Sequence, residues 1–253
     1  MNYSENLKKR LKLNAKKLSN NSGIDGTEYS SAFIFNDVKM NFNHSSYLNI
    51  IKKPKWKPRL LKKHNHFNDG TLEMQSSNSS DALLMNIFCY PKFKNWKGPS
   101  KLLRINTNKK FEFGWNPNFD NENQKHKTEI DLKVGKTIFE AKLTEANFTK
   151  KRKEVVESYV DLHTIFEKSL LCHSNGQYTN YQLIRNILTA YKYGLNFTLL
   201  IDDRRIDLIK EFIITIKSIK SYDLRKNLNI ITWQEIIDTC GEELKSYISK
   251  KYF

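Results

Sequence analysis

The sequence predicts an α/β sheet protein with a basic N-terminal extension, and three observations predict it. From residue 128 onward, period-two apolar alternation and helical periodicity interleave in the order β, β, α, α, β, α, β, α. The 253 residues are 39% hydrophobic and 12% aromatic, enough for a substantial core and too apolar for wholesale disorder. The charge is uneven: of a net +16, residues 1–66 carry +10 from fourteen Lys/Arg against four Asp/Glu, and residues 67–253 carry +6. The expected division is therefore a basic region over 1–66 and the sheet-containing core over 67–253.

Each element follows in order. Residues 4–18 are expected as a helix, with Leu7, Leu11 and Leu18 on one face and Lys8, Lys9, Arg10, Lys12, Lys16 and Lys17 around them. Ser19–Gly26 has turn composition. In Lys52-Lys53-Pro54-Lys55-Trp56-Lys57-Pro58-Arg59 two prolines block helix continuation, so an extended basic arm is expected. Such an arm suits a nucleic-acid backbone, with Trp56 against a base or sugar face; a solvated basic linker is the alternative. Asp81–Phe88 is helical through Leu83, Leu84, Ile87 and Phe88, with Ser79 and Ser80 as N-caps. Strands are expected between Ile105 and Trp115, where Phe111, Phe113 and Trp115 alternate with Glu112 and Gly114. Residues 116–127 are Asn-rich and read as a loop, followed by a hairpin. Residues 151–171 are expected as one helix on Val155, Tyr159, Leu162 and Phe166, and 180–193 as a second, stopped by Gly194. Leu195–Ile201 reads as a buried strand. A helix over 205–220 follows on Leu208, Phe212, Ile216 and Ile219, then a strand over Leu228–Ile231. Thr232-Trp233-Gln234-Glu235 is a capping box that opens the last helix.

Several function classes are excluded at this level. No apolar run approaches the roughly 18 residues of a membrane span, and the N-terminus lacks the continuous apolar stretch of a signal peptide. The 4–18 helix has three leucines and no Trp or Phe on its apolar face, too little for a membrane surface. Cys89, Cys172 and Cys240 are odd in number, widely spaced and without a CxxC, which points to a reducing cytoplasm and away from a disulfide framework or zinc knuckle. His64-Asn65-His66 has the letters of an HNH nuclease, but adjacent residues cannot supply histidines from separate elements. The positive excess favours a polyanion, nucleic acid first.

The chemistry concentrates in the hairpin Thr128–Glu145. Gly135-Lys136 serves as a two-residue turn with Gly at the first position, as a type II′ turn requires. Val134 then faces Thr137, Leu132 faces Phe139 and Ile130 faces Ala141, giving an apolar face. On the other face Asp131 stands opposite Glu140, and Glu129 opposite Lys142. Like charges opposed across a hairpin are destabilising. They make sense around a divalent cation: Mg²⁺ takes hard oxygens, one or two protein carboxylates, and substrate phosphate and water for the rest. Lys142 shares the face of Glu140, where its ammonium positions or deprotonates a water and offsets charge on a phosphate. The pattern [Asp/Glu]-x-Lys occurs four times, and only Glu140–Lys142 lies on a strand alternation with an upstream acid in register. An amphipathic edge hairpin with solvating charges is the bland alternative.

Asp131 followed by Glu140-Ala141-Lys142 on paired strands resembles the PD-(D/E)xK nuclease superfamily, nearest to its bacterial restriction-endonuclease-like members. Ser79–Leu83, Asn86–Phe88, Thr128–Asp131, Phe139–Lys142 with Glu145 and Phe148, and Tyr181–Asn186 are similar to segments of that group. Ile130 stands where the motif's proline would be. The resemblance implies a central mixed sheet flanked by helices, Mg²⁺ dependence, and cleavage of double-stranded DNA leaving a 5′-phosphate. Asp131 and Glu140 would hold the metal with the Ala141 carbonyl, and Lys142 would be catalytic. Glu73 and Glu112 are candidates for a further acid, or are surface or ion-paired acids. Gln182 and Arg185, three apart on one helix, are candidate cleft residues; Arg185 reads as a phosphate contact or a structural ion pair. Lys52, Lys53, Lys55, Trp56, Lys57 and Arg59 are candidate DNA contacts. The expected function is a Type II restriction endonuclease of the bacterial cytoplasm, acting as a homodimer. A repair or recombination nuclease of the same core and a non-catalytic nucleic-acid-binding protein are the alternatives.

Overall fold

The computed structural model describes residues 3–23, 25–64, 70–117 and 129–253. The chain folds as two compact units: unit one holds 1–108, 141–144 and 232–253, and unit two holds 109–140 and 145–231. Two of the histidine-motif residues, Asn65 and His66, and most of the expected 116–127 loop lie outside the described residues.

Unit two carries the body of the sheet. Its strands, numbered in chain order, are β1 (Phe111–Trp115), β2 (Ile130–Val134), β3 (Thr137–Ala141), β4 (Asn196–Ile201) and β5 (Leu228–Thr232). They lie side by side in the order β5-β4-β3-β2-β1. The first three form an antiparallel meander. Helices Tyr181–Lys192 and Ile206–Lys217 lead into β4 and out of it, and the mixed sheet flanked by helices is the fold class the sequence predicts.

This order places β3 in the middle of the sheet, and all five of its residues are buried. The expected single apolar face therefore holds for β2, where Ile130, Leu132 and Val134 are buried and Asp131 and Lys133 half-buried, but not for β3. A central strand has neighbours at both edges and is covered on both faces, so its polar positions are buried with its apolar ones. Gly135 turns the hairpin at φ +58, a conformation that Cβ sterics deny most residues. The Asn196 amide donates to the Lys136 carbonyl at 2.7 Å, tying the turn to the start of β4.

The continuous helix expected over 151–171 is absent. Lys151–Arg152 instead pairs with Gln177–Tyr178 in a small sheet, followed by short helices over Lys153–Glu157 and Leu162–Ile165. Val155 is 42% and Val160 81% exposed, whereas Val156, Tyr159, Leu162, Ile165 and Phe166 are buried. Breaking the helix lets five apolar side chains reach the core, a gain that outweighs local periodicity.

In unit one the N-terminal helix runs from Tyr3 to Ser22, longer than expected, and Gly23 at φ +61 follows it. It buries Leu7, Leu11 and Ala15, with Leu18 half-buried. It packs on the C-terminal helix Glu242–Tyr252: Asn14 Nδ2 donates to the Lys251 carbonyl at 3.4 Å, and Arg10 to the Phe253 carbonyl. The hairpin Gly26–Glu28/Phe33–Phe35 adds Phe33 and Phe35 to the same cluster as Ala15. Helix Ser80–Phe88 is capped as expected, Ser79 Oγ accepting from the Ala82 amide at 3.1 Å.

The extended arm expected at 52–59 is a correction. The chain leaves helix His44–Ile51 in tight turns and enters a 3₁₀ helix at Lys57–Leu61. Pro58 sits in its first turn, where a fixed φ and a missing N–H cost nothing. Trp56 is only 6% exposed, so its ring belongs to the core and offers no face to a base. Among the described residues no helix is long and apolar enough to cross a membrane.

Candidate active site

The β2–β3 ladder has the register that the alternation predicts: Val134 pairs with Thr137, Lys133 with Ile138 and Leu132 with Phe139. Continuing it by one step sets Asp131 across from Glu140. On the other flank of β2, Phe113 pairs with Leu132 and Trp115 with Ile130, so the position beside Asp131 is Gly114, at φ +62. No side chain rises from β1 beside the Asp131 carboxylate.

Glu140 is 2% exposed. A carboxylate so far from water is stable only when charge or hydrogen bonds satisfy it. One of its partners is Asn186, whose Nδ2 donates to Oε2 at 2.7 Å. Asn186 is itself fully buried on helix Tyr181–Lys192. Its neighbour Arg185 donates to the Glu129 carbonyl at 3.4 Å and lies 5.5 Å over the Tyr181 ring, which Lys151 also approaches at 5.7 Å. Tyr181 is fixed in turn by a 3.0 Å hydrogen bond between its hydroxyl and that of Tyr159. Gln182 is half-buried, and its backbone N–H donates to the Phe148 carbonyl at 2.9 Å.

Ala141 ends β3 and Lys142 follows it directly; they are 2% and 4% exposed. The Lys142 carbonyl accepts a 2.9 Å hydrogen bond from the buried indole of Trp233. That tryptophan opens helix Trp233–Asp238, whose start is set by the capping box expected from the sequence: Glu235 N–H donates to Thr232 Oγ1 at 3.1 Å, and Thr232 N–H to Glu235 Oε2 at 2.7 Å.

The other expected residues fall elsewhere. Glu112 pairs across the strands with Lys133 (3.8 Å) and with Lys110, the residue just before β1 (2.7 Å). Its register places it on the Asp131 face, two positions nearer the turn, as an ion-paired acid. Glu73 belongs to a cluster in unit one, with Lys62 at 3.0 Å. There Asp81 accepts from Arg59 at 2.5 Å and lies 3.7 Å from Lys62. Burial holds the Glu73 carboxyl above its ordinary pKa, with the Asp81 charge adding to the effect and Lys62 opposing it. Arg59, engaged with a buried Asp81, is a structural ion-pair partner. Lys52, Lys53, Lys55 and Lys57 are exposed.

A family model described as Restriction Endonuclease associating with ARP matches residues 9–253. The chain belongs to this restriction-endonuclease family. Its activity class is accordingly that of a nuclease. No curated protein matches the chain, and no solved structure does. The family match begins within the N-terminal helix and runs to the last residue, so it covers both compact units.

Two residues of the site are not singled out by sequence reasoning, although Asn186 lies in the Tyr181–Asn186 segment that carries part of the resemblance. Asn186 lies four residues after Gln182 on one helix, a same-face spacing, but an Asn inside an apolar helix has no signature of its own. Trp233 reads as part of a cap, and nothing in its own segment points to Lys142, 91 positions away.

Proposed function

We propose that this chain is a metal-dependent DNA endonuclease of the PD-(D/E)xK type, acting as a Type II restriction enzyme. The reading rests on the β2–β3 register, which is paired through Leu132–Phe139 and whose continuation by one step opposes Asp131 to Glu140, with Glu140 buried on the central strand of a restriction-endonuclease-family chain. The donor set fits a hard divalent cation. It is all oxygen, two carboxylates and one backbone carbonyl. Mg²⁺ at nuclease sites is held in this open way, by one or two carboxylates with substrate phosphate and water completing the shell.

In this reading Asp131 and Glu140 hold the cation together with the Ala141 carbonyl. When bound, it supplies Lewis-acid polarisation of the phosphoryl oxygen and a more acidic water. Lys142, two residues past Glu140, orients the attacking water and balances charge on the phosphate. Arg185 binds a flanking phosphate, and exposed Lys52, Lys53, Lys55 and Lys57 add sequence-independent grip. The substrate is double-stranded DNA and the working form a homodimer matched to a palindromic site.

Incubation with plasmid and phage DNA in Mg²⁺, followed by mapping of the ends, tests the reading. Discrete fragments with 5′-phosphates are expected from the unaltered chain, and bound but uncut DNA from Lys142→Ala and Asp131→Ala. Wild-type cutting by either variant refutes the site. Cutting confined to branched or damaged DNA refutes the restriction role.

A further inference from the structure

Two fully buried asparagines of unit two, Asn180 and Asn186, are only half used, and Asn186 is the one bonded to a candidate metal ligand. It is 0% exposed, its Nδ2 donates to Glu140 Oε2 at 2.7 Å, and its Oδ1 has no hydrogen-bond partner. The amide orientation follows from chemistry: a flipped Asn would turn its carbonyl oxygen onto a carboxylate oxygen, two acceptors with no proton between them. The orphaned acceptor is thus a consequence of serving Glu140. A fully buried carbonyl without a donor is destabilising, and such an orphan calls for a physical account: strain, a catalytic role, or a water or ion that satisfies it.

We propose that Asn186 is a positioning residue for the nuclease site, an inference that rests on the function proposed above. It fixes the Glu140 carboxylate so that the other oxygen faces the cation, and its Oδ1 accepts from a water or substrate group that enters with the cation. The rigid platform supports this: Asn186 lies mid-helix on Tyr181–Lys192, and the first turn of that helix is anchored by the Tyr181 and Gln182 backbone N–H groups, which donate to the Thr149 and Phe148 carbonyls at 3.1 and 2.9 Å. Residues that orient a metal ligand in this manner change metal affinity or activity by about 10–100-fold when removed.

The test is a Mn²⁺ titration of the full-length protein, read by the electron paramagnetic resonance signal of the free ion. Asn186→Leu keeps the approximate shape and removes both the donor and the acceptor. The expected result is a rise of about tenfold or more in the Mn²⁺ dissociation constant, with DNA affinity in the absence of metal unchanged. Asn186→Ala, which introduces no new apolar bulk, carries the same expectation and serves if the leucine variant does not fold. A folded variant with wild-type Mn²⁺ affinity overturns the inference. Glu140→Gln separates the two levels. If it loses Mn²⁺ binding while the Asn186 variants keep it, only the positioning role fails. If it too binds Mn²⁺ normally, the metal site itself is wrong.

Discussion

Replacing Trp233 with Phe isolates one hydrogen bond at the end of the candidate catalytic strand. The indole Nε1 donates to the Lys142 carbonyl at 2.9 Å, and both residues are buried. Phenylalanine keeps the aromatic packing and deletes the donor. The carbonyl is left in a dry site without a partner, at about 1–3 kcal/mol. The smaller ring also leaves roughly 40 Å³ unfilled, which at about 24 cal/mol per Å³ adds about 1 kcal/mol. The expected loss is thus about 2–4 kcal/mol, or a melting temperature lower by roughly 5–15 °C for a chain of this size. Because the bond holds the backbone that carries Lys142, cleavage is expected to fall by about tenfold or more well below the melting temperature. Urea unfolding and single-turnover cleavage at 25 °C are the assays. A stability change below about 0.5 kcal/mol would refute the account of the buried bond. Normal cleavage in a clearly destabilised protein would refute the claim that the bond places Lys142.

Other outcomes follow from the same geometry. Arg59→Ala removes one partner of a buried pair and should cost about 3–5 kcal/mol by chemical denaturation while leaving the salt slope of DNA binding unaltered; a flatter slope would return Arg59 to the DNA interface. Changing Lys52, Lys53, Lys55 and Lys57 to Gln together should flatten that slope by about 0.9 for each DNA phosphate no longer neutralised, and an unchanged slope would mean this surface faces away from DNA. Arg185→Ala should weaken DNA binding with less than about 1 kcal/mol lost in stability, and a large stability loss with normal binding would make it a structural residue. Lys251 is buried beside Tyr247, Tyr252 and Phe35, donates to the Asn41 carbonyl, and is held by burial well below its ordinary pKa. The folded state then binds fewer protons than the unfolded one between the depressed folded pKa and the unfolded value. Stability relative to Lys251→Met should therefore rise with pH across that window; a flat difference would show that the group titrates normally.

Truncation of the first 60 residues is not a clean probe of the basic region. Leu7, Leu11, Ala15, Phe33, Phe35 and Trp56 all belong to the core, so the deletion would remove packing together with charge. Lys52, Lys53, Lys55 and Lys57 stay at the surface while Trp56 of the same segment is buried within unit one.

Local rules made much of this protein legible in the sequence. The alternation on both sides of Gly135, with a residue at the turn that tolerates positive φ, was enough to set the register of β2 on β3, because a one-residue slip would turn the buried Ile130, Leu132 and Val134 to the opposite face. The Ser79 and Thr232 caps were readable for the same reason, since each bond closes within three residues. The tertiary structure decided what those rules leave open. It made β3 central, so that Glu140 is buried and cannot be a solvating charge on an edge strand. It also brought Asn186 to Glu140 across 46 positions and Trp233 to Lys142 across 91, and it withdrew Trp56 from solvent. Periodicity records which face of an element is apolar. It holds no information about which distant element will cover that face, and at this site the covering elements supply the hydrogen bonds.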